Sequence, residues 1–318
     1  MSERRIYIAG HTGMVGSSIL KKFQENGYNN IIKESSDALD LRNQADVEHF
    51  ISAKQPDAII LAAARVGGIL ANDRYPYQFL YDNLAIESNV INAAHKNNVE
   101  QLVFLGSSCI YPKQAPQPIR EEYLLSGPLE PTNQWYAIAK IAGLKLCQSL
   151  HKQYGRNYVS LMPTNLYGPR DNFDLETSHV VPAMIRKFHE AMKNGDSPVT
   201  LWGSGSPKRE FLHVNDLAEA VFFAFNHQLD GELYNIGTGS DISIKELALL
   251  IQDVVGHEGD IIWDKGKPDG TPRKLLDVSK IHSAGWHHRI QLKEGLTKTY
   301  EWFLQNIDGL KMRSLQAN

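Results

Sequence analysis

The sequence predicts an α/β fold: a doubly wound parallel sheet with a smaller C-terminal domain interleaved with it. Three observations carry the prediction. Short, almost continuously apolar runs alternate with helical stretches through the first 165 residues, as strands covered on both faces require. A glycine-spaced turn, Gly10-His11-Thr12-Gly13-Met14-Val15-Gly16, joins the first such run to the first helix. Beyond residue 166 the texture becomes loop-rich, punctuated by Gly168, Pro169, Pro182, Gly203 and Pro207.

The elements follow in order. Ile6 to Ala9 reads as a β-branched strand, and the amphipathic helix after the glycine turn ends near Gly27. "NNIIKES" is a second strand and "ADVEHFISAKQ" a helix; "PDAIILAAA" is a third strand and "YDNLAIESNVINAAHKNN" a helix. "QLVFLGSS" is the fourth strand, and "QWYAIAKIAGLKLCQSLHKQYG" a long helix. After "VSLMPTNLYGP" and the loop-rich stretch come a helix, "HVNDLAEAVFFAFNHQ", and a returning strand, "GELYNIGTG". Two amphipathic helices, "SIKELALLIQDVV" and "LKEGLTKTYEWFLQNI", close the chain. No internal repeat or low-complexity linker separates the lobes. The expected division is residues 1–166 with 212–235 in one domain, and 167–211 with 236–318 in the other.

Bulk composition removes several classes. With 318 residues the chain can bury a large core. Lys+Arg number 33 against 36 Asp+Glu, a net charge of −3, which gives no field for holding nucleic acid. Two cysteines, Cys109 and Cys147, make no disulfide framework and suggest a reducing cytoplasm. The most apolar stretch, "AIILAAARVGGIL", is short and interrupted by Arg65, so no membrane span is expected. No metal site is expected either.

The glycine turn is informative because it follows a strand and opens a helix. Glycines allow the tight bend and close backbone approach, while the helix N-terminus offers amide hydrogens to a pyrophosphate. Dinucleotide binding by Gly10 to Gly16 is therefore expected, on a Rossmann-type sheet, with the first domain as the dinucleotide-binding one. Tyr136 and Lys140 in "YAIAK" lie four apart, on one face of a predicted helix. A lysine charge beside a phenol favours the phenolate, so the tyrosine is expected to titrate toward the working range and to exchange a proton with an oxygen while hydride moves. Ser107, at the end of the fourth strand, is placed to hydrogen-bond the same carbonyl.

Together, the GxxGxxG spacing, "LGSS", "YAIAK", "MPTNLYGP", "REFLHVNDLAEA", "YNIGTG" and "PDGTPRKLLDVSKI" resemble the extended short-chain dehydrogenase/reductases. "SSCIYPK", "PTNLYGPRDNF" and "SHVVPAMIRKFHEA" narrow the likeness to their GDP-4-keto-6-deoxy-D-mannose epimerase/reductases, over residues 5–306. The resemblance implies 3,5-epimerisation through enolates, then hydride reduction at C-4, giving GDP-L-fucose. It implies a Cys109/His179 pair as base and acid, because inversion needs a proton carrier on each face of the ring. A thiolate near a cation is a competent base and imidazole a suitable acid. Ser107 and Tyr136 would stabilise the enolate, and Tyr136 would protonate the reduced oxygen. Cys147 reads as core packing within its helix.

The resemblance also assigns contacts. Beyond the glycine loop, Tyr136 and Lys140, cofactor contacts are implied for Ser36, Asp40, Leu41, Leu105, Gly106, Ser108 and His179, and for Pro163, Thr164, Asn165 and Leu166 on the nicotinamide side, with Asn83 near the same region. Substrate contacts are implied for Lys187, Trp202, Arg209 and Asp269, the lysine and arginine facing the diphosphate. Several bacterial members carry arginine at positions 12 and 36, where this chain has Thr12 and Ser36, and Glu34 closes the second strand. A carboxylate there suits a free ribose hydroxyl, whereas other members use NADPH with a serine-rich turn like "ESSDALDL". NADPH is the expected cofactor, with NADH the alternative. Alternative substrates are other GDP- or dTDP-keto-sugars, such as a keto-heptose. A 4,6-dehydratase is disfavoured because Cys109 occupies the acid's place. A dinucleotide sensor without turnover is disfavoured by the intact Ser107, Tyr136 and Lys140. Finally, the resemblance implies a homodimer formed by helices near 81–98 and 136–153, whose apolar residues include Leu84, Ile86, Val90, Ile91, Ile138, Ile141, Leu144 and Leu146.

Overall fold

The computed structural model describes residues 3–309, leaving out Gln228, Pro268 and the side chain of Ile69. Its first half alternates strand and helix: β1 (Ile6–Ala9), α1 (Met14–Glu25), β2 (Ile31–Ile32), α2 (Gln44–Lys54), β3 (Ala58–Leu61), α3 (Ile69–Arg74), α4 (Pro76–Lys96), β4 (Gln101–Leu105), α5 (Gln134–Tyr154) and β5 (Asn157–Pro163). Then follow β6 (Asn165–Tyr167), α6 (Val180–Lys193), β7 (Val199–Trp202), β8 (Lys208–Arg209), β9 (Phe211–His213), α7 (Val214–Asn226) and β10 (Leu233–Ile236). The remainder comprises β11 (Ile242–Ser243), α8 (Ile244–Val255), β12 (Ile261–Asp264), β13 (Arg273–Lys274), α9 (Ser279–Ser283) and α10 (Leu292–Asn306).

Six strands form one parallel sheet in the order β10-β5-β4-β3-β1-β2. Every residue of β1, β3 and β4 is buried, which is why these runs carry no polar alternation. The order in which strands are added reverses at β1, with β2 on one side of it and β3 on the other, so the binding crevice opens at the carboxyl ends of β1 and β3. Phe23 of α1 packs edge-on against Phe222 and Phe225 of α7 at 5.2 and 5.0 Å, coupling the two helices. A second core gathers Phe188, Phe211, Leu247, Ile251, Leu296 and Phe303 from α6, α8 and α10 with their neighbours. Ser243 and Glu246 form a reciprocal cap at the start of α8.

The structure differs from the sequence reading in three places. Leu276, Val278, Ile281 and Trp286, expected in the second lobe, pack into the first core. The loop-rich stretch contains a full helix, α6; Pro182 stands in its first turn, where an amide hydrogen has no intrahelical partner to lose. α4 begins five residues before Tyr81, at Pro76, which fills the first helical position.

Candidate active site

The dinucleotide end is built from backbone. Gly10 has φ +85°, and a Cβ there would lie 2.7 Å from the Ala63 amide nitrogen, so β1 and the chain after β3 approach too closely for any side chain. A Cβ on Gly16 would fall 2.1 Å from the Gly10 carbonyl oxygen. Gly13 caps α1, and no acidic residue stands in its first turn. The result is an open, positively polarised helix end that fits a pyrophosphate. At the adenosine end, Ser36 is exposed and Leu41 half-buried. Asp40 is engaged by Arg42 at 2.9 Å, which holds its carboxyl below the usual range. Glu34 turns back to accept the Ser35 amide at 3.2 Å, and burial, with the Lys33 charge adding, lowers the His11 imidazole.

Leu105 ends β4 and Gly106 follows it, where a Cβ would strike Met162 Sδ at 2.1 Å. The chain then enters a single 3-10 turn over Ser108–Ile110 capped by Ser107, whose Oγ accepts the Cys109 amide at 3.3 Å. The Ser107 hydroxyl also bears on the Cys109 thiol, opposing the effect of burial on it. Ser108 and Cys109 are both buried. Lys140 reaches under this turn, donating to the Leu105 carbonyl at 2.9 Å, with its Nζ 5.7 Å from the centre of the Tyr136 ring. Phe79 stands edge-on to Tyr136 at 6.4 Å.

Glu87 of α4 was not foreseen. Its carboxylate lies 2.9 Å from Lys140 Nζ, with both side chains almost wholly buried. Two sequence expectations change here. The Lys140 charge is shared with Glu87, and Tyr136 is pushed well above its ordinary value by burial, with Cys109 and Glu87 adding in the same direction. The phenol is held protonated, ready to donate. Burial likewise pushes the Cys109 thiol up, against the opposing pull of Lys274, Ser107 and Lys140.

Asn83 spans the gap between α4 and the chain after β3: its Oδ1 accepts the Arg65 amide at 2.9 Å, and its Nδ2 donates to the Arg65 and Phe79 carbonyls. These bonds tie α4 to the chain after β3. Pro163 closes β5; Thr164 and Asn165 both donate to the Glu210 carbonyl, at 3.2 and 2.8 Å, and Leu166 is half-buried in β6. His179 is the residue before α6, and its side chain makes no cap. The Gly68 amide donates to the Thr177 carbonyl at 3.1 Å, tying this segment to the loop after β3. His179 is open to solvent, yet the protein around it pushes its imidazole down. No hydrogen bond joins it to Cys109 or Tyr136 among the described residues.

The four expected substrate residues gather along the β7–β8 rim of the second lobe. Lys187 Nζ donates to the Thr200 carbonyl at 3.0 Å. Trp202 is half exposed, with Lys267 Nζ 5.3 Å from its ring, so it is a surface and not core. Arg209 is partly desolvated, which lowers it, and donates to the Lys208 carbonyl. Asp269 accepts the Ser204 amide and hydroxyl at 2.6 and 2.8 Å, so its carboxylate already holds the 203–206 turn.

Sheet, glycine cradle, half-buried Tyr136 and buried Lys140 define a dinucleotide-dependent oxidoreductase fold. The chain belongs to the NAD dependent epimerase/dehydratase family, whose profile matches residues 6–237. It is 54% identical to a probable GDP-L-fucose synthase of Oryza sativa subsp. japonica, over 96% of this chain and 94% of that one. It is 52% identical to the GDP-L-fucose synthase of Escherichia coli K12, over 97% and 99%. Among solved structures it is similar to a GDP-mannoheptose C4 reductase of Campylobacter jejuni with NADP bound. That likeness has TM-score 0.86 and 37% identity, and covers 96% of this chain and 99% of that one.

Proposed function

We propose that the chain is an NADPH-dependent epimerase/reductase that converts GDP-4-keto-6-deoxy-D-mannose to GDP-L-fucose. Relatives named for that product match nearly the whole chain at more than half identity. The observation that carries the reading is the thiol of Cys109 on the same turn as Ser107 and beside Tyr136. A plain carbonyl reductase needs the serine, tyrosine and lysine; only chemistry at the neighbouring carbons needs the thiol.

Ser107 and Tyr136 hydrogen-bond the C-4 carbonyl oxygen. With the electron pair of the α C–H bond drawn toward that oxygen, Cys109 sulfur takes the proton and His179 returns one on the opposite face. The same pair serves C-3 and C-5, both α to the carbonyl. Bound NADPH supplies the hydride for C-4. Tyr136 then gives its phenolic proton to the oxygen, and Lys140 holds the phenolate formed. Lys187 and Arg209 face the diphosphate, Trp202 and Asp269 the rest of the nucleotide-sugar, and residues 167–211 with the second core of α6, α8 and α10 serve as the substrate domain. The glycine cradle, Ser36, Asp40, Leu41 and the 163–166 segment hold the cofactor.

The cytoplasm is the proposed compartment: both cysteines are free thiols, and no helix among the described residues is long and apolar enough to cross a membrane. Turnover in heavy water tests the function. Deuterium at C-3 and C-5 of GDP-fucose, with NADPH oxidised, is the expected result; Cys109→Ser is expected to lose the deuterium. Reduction without deuterium in the wild type would show a 4-reductase and return Cys109 to packing.

A further inference from the structure

We propose that Lys274 is the cation that stabilises the Cys109 thiolate, a positioning residue acting through the thiol across a small, partly open cavity. The inference rests on the reading of Cys109 as a base. Both residues line a cavity of about 50 Å³ between the 109–133 segment and residues 271–274. That volume holds a few waters at most, so little solvent screens one group from the other.

Backbone contacts fix Lys274 there. The Leu275 amide donates to Gln117 Oε1 at 2.8 Å, and the Ile119 amide donates to the Leu275 carbonyl at 2.8 Å. The Asp277 amide donates to the Ile119 carbonyl at 2.8 Å, and the Leu276 amide to Glu210 Oε2 at 3.0 Å. On the other side, β13 pairs in parallel with β8, placing Lys274 opposite Arg209. Lys274 is thus stitched both to the loop that follows Cys109 and to the strand bearing Arg209.

Its charge lacks another partner. Among the described residues the Lys274 side chain makes no ion pair or hydrogen bond. Glu130, the carboxylate facing it, is taken up by the Thr132 and Asn133 amides and by Lys113 at 3.7 Å. Arg273, also on the cavity, turns to Asp241, and Arg209 repels Lys274. A desolvated ammonium without a counter-ion is unfavourable, and the thiolate is the anion its site offers. Burial pushes the lysine down and the thiol up; each group's strongest opposing influence is the other. From the thiol's side, Lys140 is the second cation and Tyr136 the other titratable group it acts on.

Peptide-resolved alkylation of Cys109 by iodoacetamide across pH 6–10 tests this without requiring turnover. In Lys274→Met and Lys274→Gln the rate at pH 7.5 is expected to fall about tenfold and its midpoint to move to higher pH, while Lys274→Arg stays near wild type. Deuterium wash-in at C-3 and C-5 is expected to fall with it and to return in Lys274→Arg. NADPH binding and thermal midpoint establish that each variant is folded, and the two neutral variants guard against one failing. Folded Met and Gln variants whose alkylation profiles superimpose on wild type would overturn the pairing. If the alkylation shift is seen but wild type incorporates no deuterium, the pairing stands and the epimerase reading fails instead.

Discussion

Burial holds the Tyr136 phenol protonated, with Cys109 and then Glu87 adding in the same direction, and Glu87 is itself paired with Lys140 at 2.9 Å. In Glu87→Gln the negative charge that helps hold the phenol protonated is gone, so its pKa falls and the alkaline limb of the rate profile moves to lower pH. Stability is expected to drop by on the order of 3 kcal/mol, because Lys140 keeps an uncompensated charge. A pH–rate profile with the alkaline limb unmoved sinks the assignment. Asp171 gives a second test. Its Oδ2 is buried without a hydrogen-bond partner, and burial raises the carboxyl from 3.8 to about 7. The folded state therefore binds this proton more tightly than the unfolded chain. Its contribution to stability falls as pH rises from about 4 to about 7 and is level above that. Asp171→Asn removes the burial of charge, so its thermal midpoint should exceed wild type by several degrees at pH 8 and match it near pH 4; equal effects at both pH values count against this account. Ser107, Tyr136 and Lys140 were legible as spacing on one helix and one strand end. Glu87, Asp171 and Lys274 were not, because what distinguishes them is burial and a pairing between segments far apart in sequence, which no local pattern carries.

The β1–α1 turn shows what a glycine contributes at the scale of an element. Gly10→Ala puts a Cβ against the Ala63 amide in a left-handed backbone conformation, so β1 and the chain after β3 must separate and the cradle widen. Dinucleotide affinity should fall at least about a hundredfold. Gly27 is the control: its φ is +81° but nothing lies within 4 Å of an added Cβ. Gly27→Ala should cost about 1 kcal/mol of stability and leave affinity unchanged. Titration of NADPH fluorescence checks both, and equal losses would mean that strain, not crowding, is the cause. The strand–helix alternation was legible for the same reason the cradle is: fully buried strands leave continuous apolar runs. The short strands β8, β11 and β13 were not. Two-residue strands have no periodicity, and their pairing is set by the sheet they complete.

At the scale of the whole molecule, α4 and α5 pack against each other on the sheet and each keeps an apolar outer face. Tyr77 and Tyr81 stack at 5.5 Å on α4 while 67% and 52% exposed; Trp135 and Ile138 of α5 are 37% and 40% exposed. Of the apolar residues that the sequence places on more than one face of these helices, Val90, Ile91 and Leu144 are core and Ile138 is outward. Such a patch is costly in water, and we propose that a second copy of the chain covers it, giving a homodimer of about twice 35.7 kDa. The consequence would reach the chemistry, because α5 carries Tyr136 and Lys140 as well as the exposed Trp135 and Ile138. Ile138→Glu combined with Tyr81→Glu should give a single-chain mass by sedimentation, a thermal midpoint lowered by several degrees and slower turnover, with NADPH binding kept by the separate glycine cradle. A wild-type protein that sediments as one chain at tens of micromolar would end the dimer proposal. A monomeric variant with full activity would show that the partner covers α5 without steadying the residues on its inner face.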